Sequence, residues 1–287
     1  MNKKHLSLFG LKFHPFRPDI PVEAIWPVAA VESFCRRVEF TLGDGGFVMV
    51  TGEVGTGKSK ALSLLAQRLG SRPDVLVGTI DHPQSRVSDF YRELGDLFHV
   101  DLPINNRWVG FKGLRTRWSE HIQSTMTRPV LIIDEAQEML TTVINELRTL
   151  SSKELDSKSL LCVVFAGDGR LPQRFRHPDL LPLGSRIRRR LHLDFATRDE
   201  LLACLDHVLE VAGNPALMTS ELKATIAEHA AGNYRVMMNI ADELLGAAAE
   251  RNLSQLDEKL YLEVFAPPKR RPAKPSPVSR TKKRKTA

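Results

Sequence analysis

The residues Gly52-Glu53-Val54-Gly55-Thr56-Gly57-Lys58-Ser59 have the spacing G-x-x-x-x-G-K-[ST]. Three glycines let the backbone turn with its N–H groups pointing inward. A helix starting at once behind them adds the positive end of its dipole, so the stretch suits a polyphosphate anion. Lys58 would reach the β- and γ-phosphates as a point charge, and the Ser59 hydroxyl would ligate the Mg²⁺ that bridges them. The plainer alternative is a Gly-rich turn with an exposed lysine. The apolar run Phe47-Val48-Met49-Val50 before the loop and the helical pattern after it argue for the phosphate site, with ATP contacting residues 52–59 and Lys60.

Further along, Val130-Leu131-Ile132-Ile133-Asp134-Glu135-Ala136-Gln137 is a short apolar run ending in two acids. This is the pattern of a buried parallel strand that delivers carboxylates to its C-terminal end, where ligands of open α/β sheets sit. Asp134 would hold Mg²⁺, and Glu135 would orient and activate the water that attacks the γ-phosphate. A second buried run, Leu160 to Asp168, ends in a carboxylate placed to sense the γ-phosphate or polarise water; as a plain turn residue it would cap the chain with Gly169. In the cluster Arg186-Ile187-Arg188-Arg189-Arg190, read as preceding an edge strand Leu191–Phe195, one arginine could reach the ATP of a neighbouring subunit. Arg186 is the first candidate and Arg189 the second. Arg235, opening a late helix, could sit over the phosphates.

The elements that must position these groups follow from periodicity. Val31, Phe34, Cys35 and Val38 fall at helical spacing, and Gly43-Asp44-Gly45-Gly46 turns that helix into the strand feeding the loop. Leu62, Leu65, Ala66 and Leu69 mark the helix after the loop, Val75–Ile80 a second strand, Val87–Phe98 another helix, and Leu140 to Leu150 an amphipathic one. From Thr197 onward three apolar stripes separated by Gly213-Asn214-Pro215 and Gly232-Asn233 predict a small helical bundle. The domains are accordingly 1–28, an aromatic and proline-rich segment packing on the ATPase core, as a clamp or as a wall near the nucleotide base; 29–196, the α/β nucleotide-binding domain; 197–266, a helical lid; and 267–287, a disordered basic tail.

The formal net charge of +7 is located rather than general. Residues 267–287 hold nine Lys or Arg and no acid, which leaves 7 − 9 = −2 for the body. Affinity for phosphate polymers is thus expected mainly at the C-terminus. Within the body, Arg107, Lys112, Arg115 and Arg117 alternate with Trp108, Phe111 and Trp118. They form either a DNA-contact stretch, with bases stacking on aromatics, or three core aromatics beneath a solvated face. Cys35, Cys162 and Cys204 have neither disulfide nor zinc spacing, and no run of about 18 apolar residues exists to cross a bilayer. A reduced, cytoplasmic setting is expected.

In order and spacing, Leu8–Leu11 with Pro15-Phe16, Gly46–Lys58, Ile133–Gln137, Ala166-Gly167-Asp168 and Gly232-Asn233-Tyr234-Arg235 with Asn239 resemble the ExeA/GspA-like branch of the AAA+ ATPases. The resemblance covers residues 8 to 265. It implies an αβα sandwich with strand order 5-1-4-3-2, a lid from about 197, and ATP bound between protomers of a homo-oligomeric ring or filament. It implies Walker A roles for Lys58 and Ser59, Walker B roles for Asp134 and Glu135, and sensor positions at Asp168 and Arg235. It also places Arg186 near the arginine finger. Asp168 departs from the neutral polar residue usual at its position, and Tyr234 from a proline. Secretion members of the branch carry a membrane span and a peptidoglycan-binding region, neither of which is read here. Short members look like the ATP-dependent helpers of DDE transposases, similar in role to TnsC, IstB, TniB and MuB. That occupation implies double-stranded DNA and a transposase as partners. The Asp-Glu-Ala-Gln quartet also suggests a helicase, but the helical pattern after 197 supplies no second RecA-like domain.

Overall fold

The computed structural model describes residues 3–81, 83–101, 106–154 and 158–266. The basic tail 267–287 lies outside them. Five strands form one sheet: β1 (Gly46–Gly52), β2 (Val75–Ile80), β3 (Arg128–Ile133), β4 (Cys162–Gly167) and β5 (Ile187–Leu193). Every pairing is parallel and the order is β2-β3-β4-β1-β5, which is the expected 5-1-4-3-2.

The continuous apolar runs of the sequence follow from burial of both sheet faces. Phe47 and Met49 of β1, Leu131 and Ile133 of β3, and Val163 and Phe165 of β4 point one way. There they pack on α3 (Val87–Phe98), α4 (Arg107–Ser124) and α5 (Thr141–Ser151) through Leu94, Trp118 and Leu147. Their neighbours Val48, Val50, Val130, Ile132 and Val164 point the other way, onto α1 (Ala29–Thr41) and α2 (Lys58–Gly70) through Phe34, Leu65 and Leu69. Strand β5 begins four residues earlier than expected. The arginines at 188–190 therefore lie within an edge strand, which tolerates exposed charge because one side of its ladder is open.

A third core belongs to α6 (Arg198–Ala212), α7 (Ser220–Ala230), α8 (Tyr234–Glu250) and α9 (Glu258–Val264). Each has a side-chain cap in the sequence just before it. Thr197 forms a capping box with Glu200, and Thr219, Asn233 and Asp257 accept from the first-turn amides of the other three.

The N-terminal segment corrects an expectation. Phe9, Leu11 and Phe16 are buried among the lid helices, not on the α/β core. Two polar stitches hold them there: the Lys12 amide donates to the Ala212 carbonyl at 2.8 Å and Asn214 Nδ2 to the Phe9 carbonyl at 2.8 Å. Burial of such aromatics is worth roughly 1.5–3 kcal/mol each, and the complementary apolar surface lies on the lid. The segment meets the α/β domain through Lys60, whose ammonium donates to the Pro18 carbonyl.

His14 gives this anchoring a pH dependence. Its Nδ1 accepts from the Phe16 amide at 3.4 Å, while Nε2 faces Asp242 Oδ1 at 3.0 Å, so the neutral ring is satisfied on both sides. Burial lowers its pKa from the ordinary 6.5, more than the Asp242 charge raises it. With the folded value below the unfolded one, the unfolded chain binds more protons in the window below 6.5, and stability is lost as pH falls through it. We expect thermal unfolding to shift downward below about pH 6.5, and a His14→Gln chain to lose part of that shift. An identical pH profile for the two chains would exclude His14 as the cause.

Candidate functional site

The loop between β1 and α2 needs its glycines. Gly55 and Gly57 have φ of 87° and 94°, and a Cβ on Gly52 would lie 2.5 Å from the Leu193 carbonyl. Lys58 is 7% exposed, and its Nζ donates to the carbonyls of Gly52 and Glu53 at 2.7 and 2.9 Å, which holds the ammonium within the turn. Thr56 closes the turn through its hydroxyl to the Glu53 carbonyl at 2.9 Å. Val54 stands exposed at the tip. The side chain of Lys60, an expected ATP contact beside this loop, turns to Pro18 and anchors the N-terminal segment.

Strand β3 ends beside the loop, as its apolar run and terminal acids predicted. Ser59 Oγ donates to Asp134 Oδ2 at 2.8 Å across 75 residues. Two adjacent oxygen donors fit Mg²⁺, which takes one or two protein ligands and completes its octahedron with water and phosphate. The glycine cradle and the lysine likewise fit a polyphosphate. Glu135 has φ of 49°, in the left-handed region, and its amide donates to Asp134 Oδ1 at 2.9 Å. Its carboxylate is exposed and accepts from Gln137 Nε2.

Asp168, at the end of β4, fills the turn-capping role. Oδ1 accepts from the Arg170 amide at 2.9 Å and Oδ2 from Arg170 Nε at 2.8 Å. Burial pushes its carboxyl up, but the bonds from Arg170 and the Lys58 charge outweigh this and hold it below its ordinary value. Arg170 also bonds Glu138 at 2.8 Å, so the turns at 136–138 and 168–170 are joined.

The lid closes on the loop through α8. Asn233 Nδ2 donates to the Val54 carbonyl at 2.9 Å, the Tyr234 amide donates to the Gly55 carbonyl at 3.0 Å, and Asn233 Oδ1 caps Arg235 and Val236. This brings Arg235, exposed at the helix start, beside the phosphate loop. A Cβ on Gly55 would lie 2.0 Å from Asn233 Oδ1. An Asn233→Asp chain keeps the helix cap, because a carboxylate accepts as well as an amide, but loses the donor to Val54. One such bond is worth about 0.5–1.5 kcal/mol, so affinity for a non-hydrolysable ATP analogue is expected to fall roughly 2–10-fold with little change in melting temperature. Unchanged affinity would remove this contact from the site.

Arg186 is at the opposite end of the sheet. It precedes β5, whose first residue pairs with Phe47, five residues before Gly52 along β1. At about 3.3 Å per residue that is about 17 Å from the loop of the same chain. Arg235, Lys58, Asp134, Glu135 and Asp168 are gathered in one place; Arg186 is not.

Of the aromatic-basic stretch on α4, two basic residues have internal partners. Arg107 pairs with Glu146, which also accepts from the Tyr91 hydroxyl at 2.8 Å. Arg115 donates to the carbonyls of Thr149, Leu150 and Ser152, stopping α5. Their spacing resembled a phosphate-binding face, yet their geometry is that of helix fasteners. Lys112 and Arg117 are exposed. Trp118 is core, whereas Trp108 is 62% exposed and stacks on Phe111 with centroids 5.7 Å apart. Cys162 and Cys204 are buried, and burial pushes both thiols up to about 12, which fits structural residues.

Sequence reasoning assigned no role to Gln137, Arg170, Arg174 or Asn233. Gln137 and Asn233 stood inside the quoted motifs, and that was their only signal. Arg170 and Arg174 carried none.

Residues 41–175 match the family described as an AAA domain. The chain is 31% identical over 252 residues to general secretion pathway protein A of Aeromonas hydrophila, a match covering 86% of this chain. It spans 45% of that relative's length. Among solved structures it is similar to the ORC2 protein of Aeropyrum pernix in its ADPNP-ADP complexes, with a TM-score of 0.69, 15% identity, and coverage of 88% of this chain and 71% of that one. Drosophila ORC bound to DNA gives a TM-score of 0.69 at 16% identity, covering 93% of this chain and 67% of that one. Domain III of the Thermotoga maritima replication initiation protein DnaA gives 0.60 at 18%, covering 88% and 98%. These likenesses establish an αβα fold of the AAA+ type.

Proposed function

From a chain with an AAA-family ATPase fold and a lid docked on its phosphate loop, we propose an ATP-dependent switch that assembles on double-stranded DNA and recruits or regulates a DDE transposase. Lys58 and the loop amides hold the phosphates, Ser59 and Asp134 hold Mg²⁺, and Glu135 takes the proton of the attacking water. Arg235 lies over the phosphates from the lid, and Arg186 serves the site of the next copy in a ring or filament. Bound Mg²⁺ supplies neutralisation of the charge that develops between the β- and γ-phosphates. The observation that carries the nucleotide part is the Ser59–Asp134 bond with Glu135 beside it, joining two distant motifs. Support for DNA comes from the nine basic residues after Ala266 and from exposed Lys112 and Arg117.

The likeness to general secretion pathway protein A favours a second reading, an ATPase of secretion or envelope assembly working with a membrane partner. Among the described residues no helix is long and apolar enough to cross a membrane.

The test is DNA binding by the full chain and by one ending at Ala266, each with no nucleotide, ADP or a non-hydrolysable ATP analogue, across a salt series. Binding that requires the analogue and survives truncation supports recognition by the assembled body. DNA affinity and oligomeric state that ignore ATP sink the switch, and association with membranes without DNA binding selects the secretion reading.

A further inference from the structure

We propose that Gln137 is a positioning residue for hydrolysis, its amide setting the Glu135 carboxylate and tying it to the turn that follows β4. The inference rests on the ATPase reading above. Gln137 is 6% exposed and its amide is used at both ends: Nε2 donates to Glu135 Oε2, and Oε1 accepts from the Asp168 amide at 3.2 Å. Only this orientation of the side chain satisfies both partners, since one is a carboxylate and the other an N–H.

The surroundings are built around that amide. A Cβ at Gly167 would lie 2.3 Å from Gln137 Oε1, so the residue before Asp168 must be glycine for the amide to approach. Arg174 donates to the carbonyls of Gln137 and Met139, which fixes the backbone of the short 3₁₀ turn Ala136–Glu138. Arg170 joins Asp168 to Glu138, a second link between the same two turns. The Asp168 turn lies beside the phosphate loop: the Lys58 charge acts on Asp168, and a Cβ on Gly169 would come within 3.3 Å of Glu53 Oε1. A path of contacts therefore runs from the 168–170 turn through Gln137 to Glu135.

Glu135 needs such a support. Its backbone is in the left-handed region and its carboxylate projects from an exposed position, where rotamers are otherwise free. With Oε2 taken by Gln137, the other oxygen can be aimed at water. A misplacement of about 1 Å in such a group costs on the order of 10²-fold in rate.

The test compares ATP hydrolysis by full-length Gln137→Met, Gln137→Glu and Glu135→Gln chains with the original. Gln137→Met keeps the volume and loses both bonds; its kcat is expected to fall about 10- to 100-fold with KM for ATP changed less than about 3-fold. Gln137→Glu sets two carboxylates against each other, and such a pair shares a proton as pH falls. A protonated carboxyl donates and accepts as the amide does, so the activity of this variant relative to the original is expected to rise as pH is lowered. A purely structural role for Gln137 would not produce that rise. Wild-type kcat in Gln137→Met, or a flat activity ratio in Gln137→Glu, overturns the proposal while an inactive Glu135→Gln leaves the ATPase reading standing. If Glu135→Gln hydrolyses ATP normally, Glu135 is not the base and the positioning role falls with it; an original chain that hydrolyses no ATP sinks the ATPase reading itself.

Discussion

A Glu135→Gln chain is expected to bind ATP within a few-fold of the original and to hydrolyse it about 10² to 10⁴ times more slowly, the range for loss of a general base. The substitution is conservative in every respect except the chemistry. Gln137 Nε2 can still donate to the amide oxygen, the backbone at φ 49° carries a residue of the same shape, and the Ser59–Asp134 bond does not involve position 135. Binding and stability therefore have no reason to change. Single-turnover hydrolysis beside analogue binding checks this, and a kcat within about 3-fold of the original would remove Glu135 from the reaction. Under the proposed function the variant also becomes a trapped state. It should remain assembled on DNA in ATP where the original chain dissociates, and sedimentation with DNA over time reads that difference directly.

The parts of this site that were legible in the sequence are those whose residue types are dictated locally. A phosphate loop must have glycines at its positive-φ positions, and a central parallel strand must be apolar until it delivers its acids. Both constraints act within eight residues and leave a pattern. What was not legible depends on partners far along the chain. Arg107 and Arg115 look like any exposed arginines until α5 supplies Glu146 and three carbonyls. Phe9 and Phe16 announce burial but not against what, and the lid that covers them begins some 190 residues later. Gln137 was visible only as the last letter of a quartet, since its role needs Gly167 and the Asp168 amide to come alongside.

Contacts between residues far apart in the sequence also join lid and loop. The N-terminal segment holds the lid through Phe9 and Asn214, and reaches α2 through Lys60 and Pro18. The lid reaches the loop tip from the other side through Asn233 and Tyr234. A change at the phosphates therefore meets the lid at two points, one at each end of the turn that starts α2. Under the proposed function, that arrangement is the route by which a change in the loop would reach the orientation of the helical domain.

An Arg186→Ala chain is expected to lose about 10³ to 10⁵ in ATP turnover, as when an arginine finger is removed, while keeping its own nucleotide affinity. The reason is the sheet. Parallel pairing of β5 with β1 fixes Arg186 at the end where β1 begins, and the loop is at the end where β1 stops. No side chain spans the intervening length of about 17 Å, so an active Arg186 must act on the loop of another copy. Under the proposed head-to-tail assembly this is testable by mixing. Lys58→Ala loses phosphate binding but still presents Arg186, and Arg186→Ala keeps a complete loop. Each is expected to be inactive alone. In an equal mixture about a quarter of the head-to-tail interfaces unite an intact loop with an intact Arg186, and activity should return to about that share. Arg186→Lys should not substitute, because an ammonium lacks the planar fork that matches phosphate oxygens. Arg189, exposed on the edge strand, is the comparison: if Arg189→Ala is the inactive partner that complements Lys58→Ala, the finger is three residues further on. If no mixture regains activity, neither Arg186 nor Arg189 acts on the loop of a neighbouring copy.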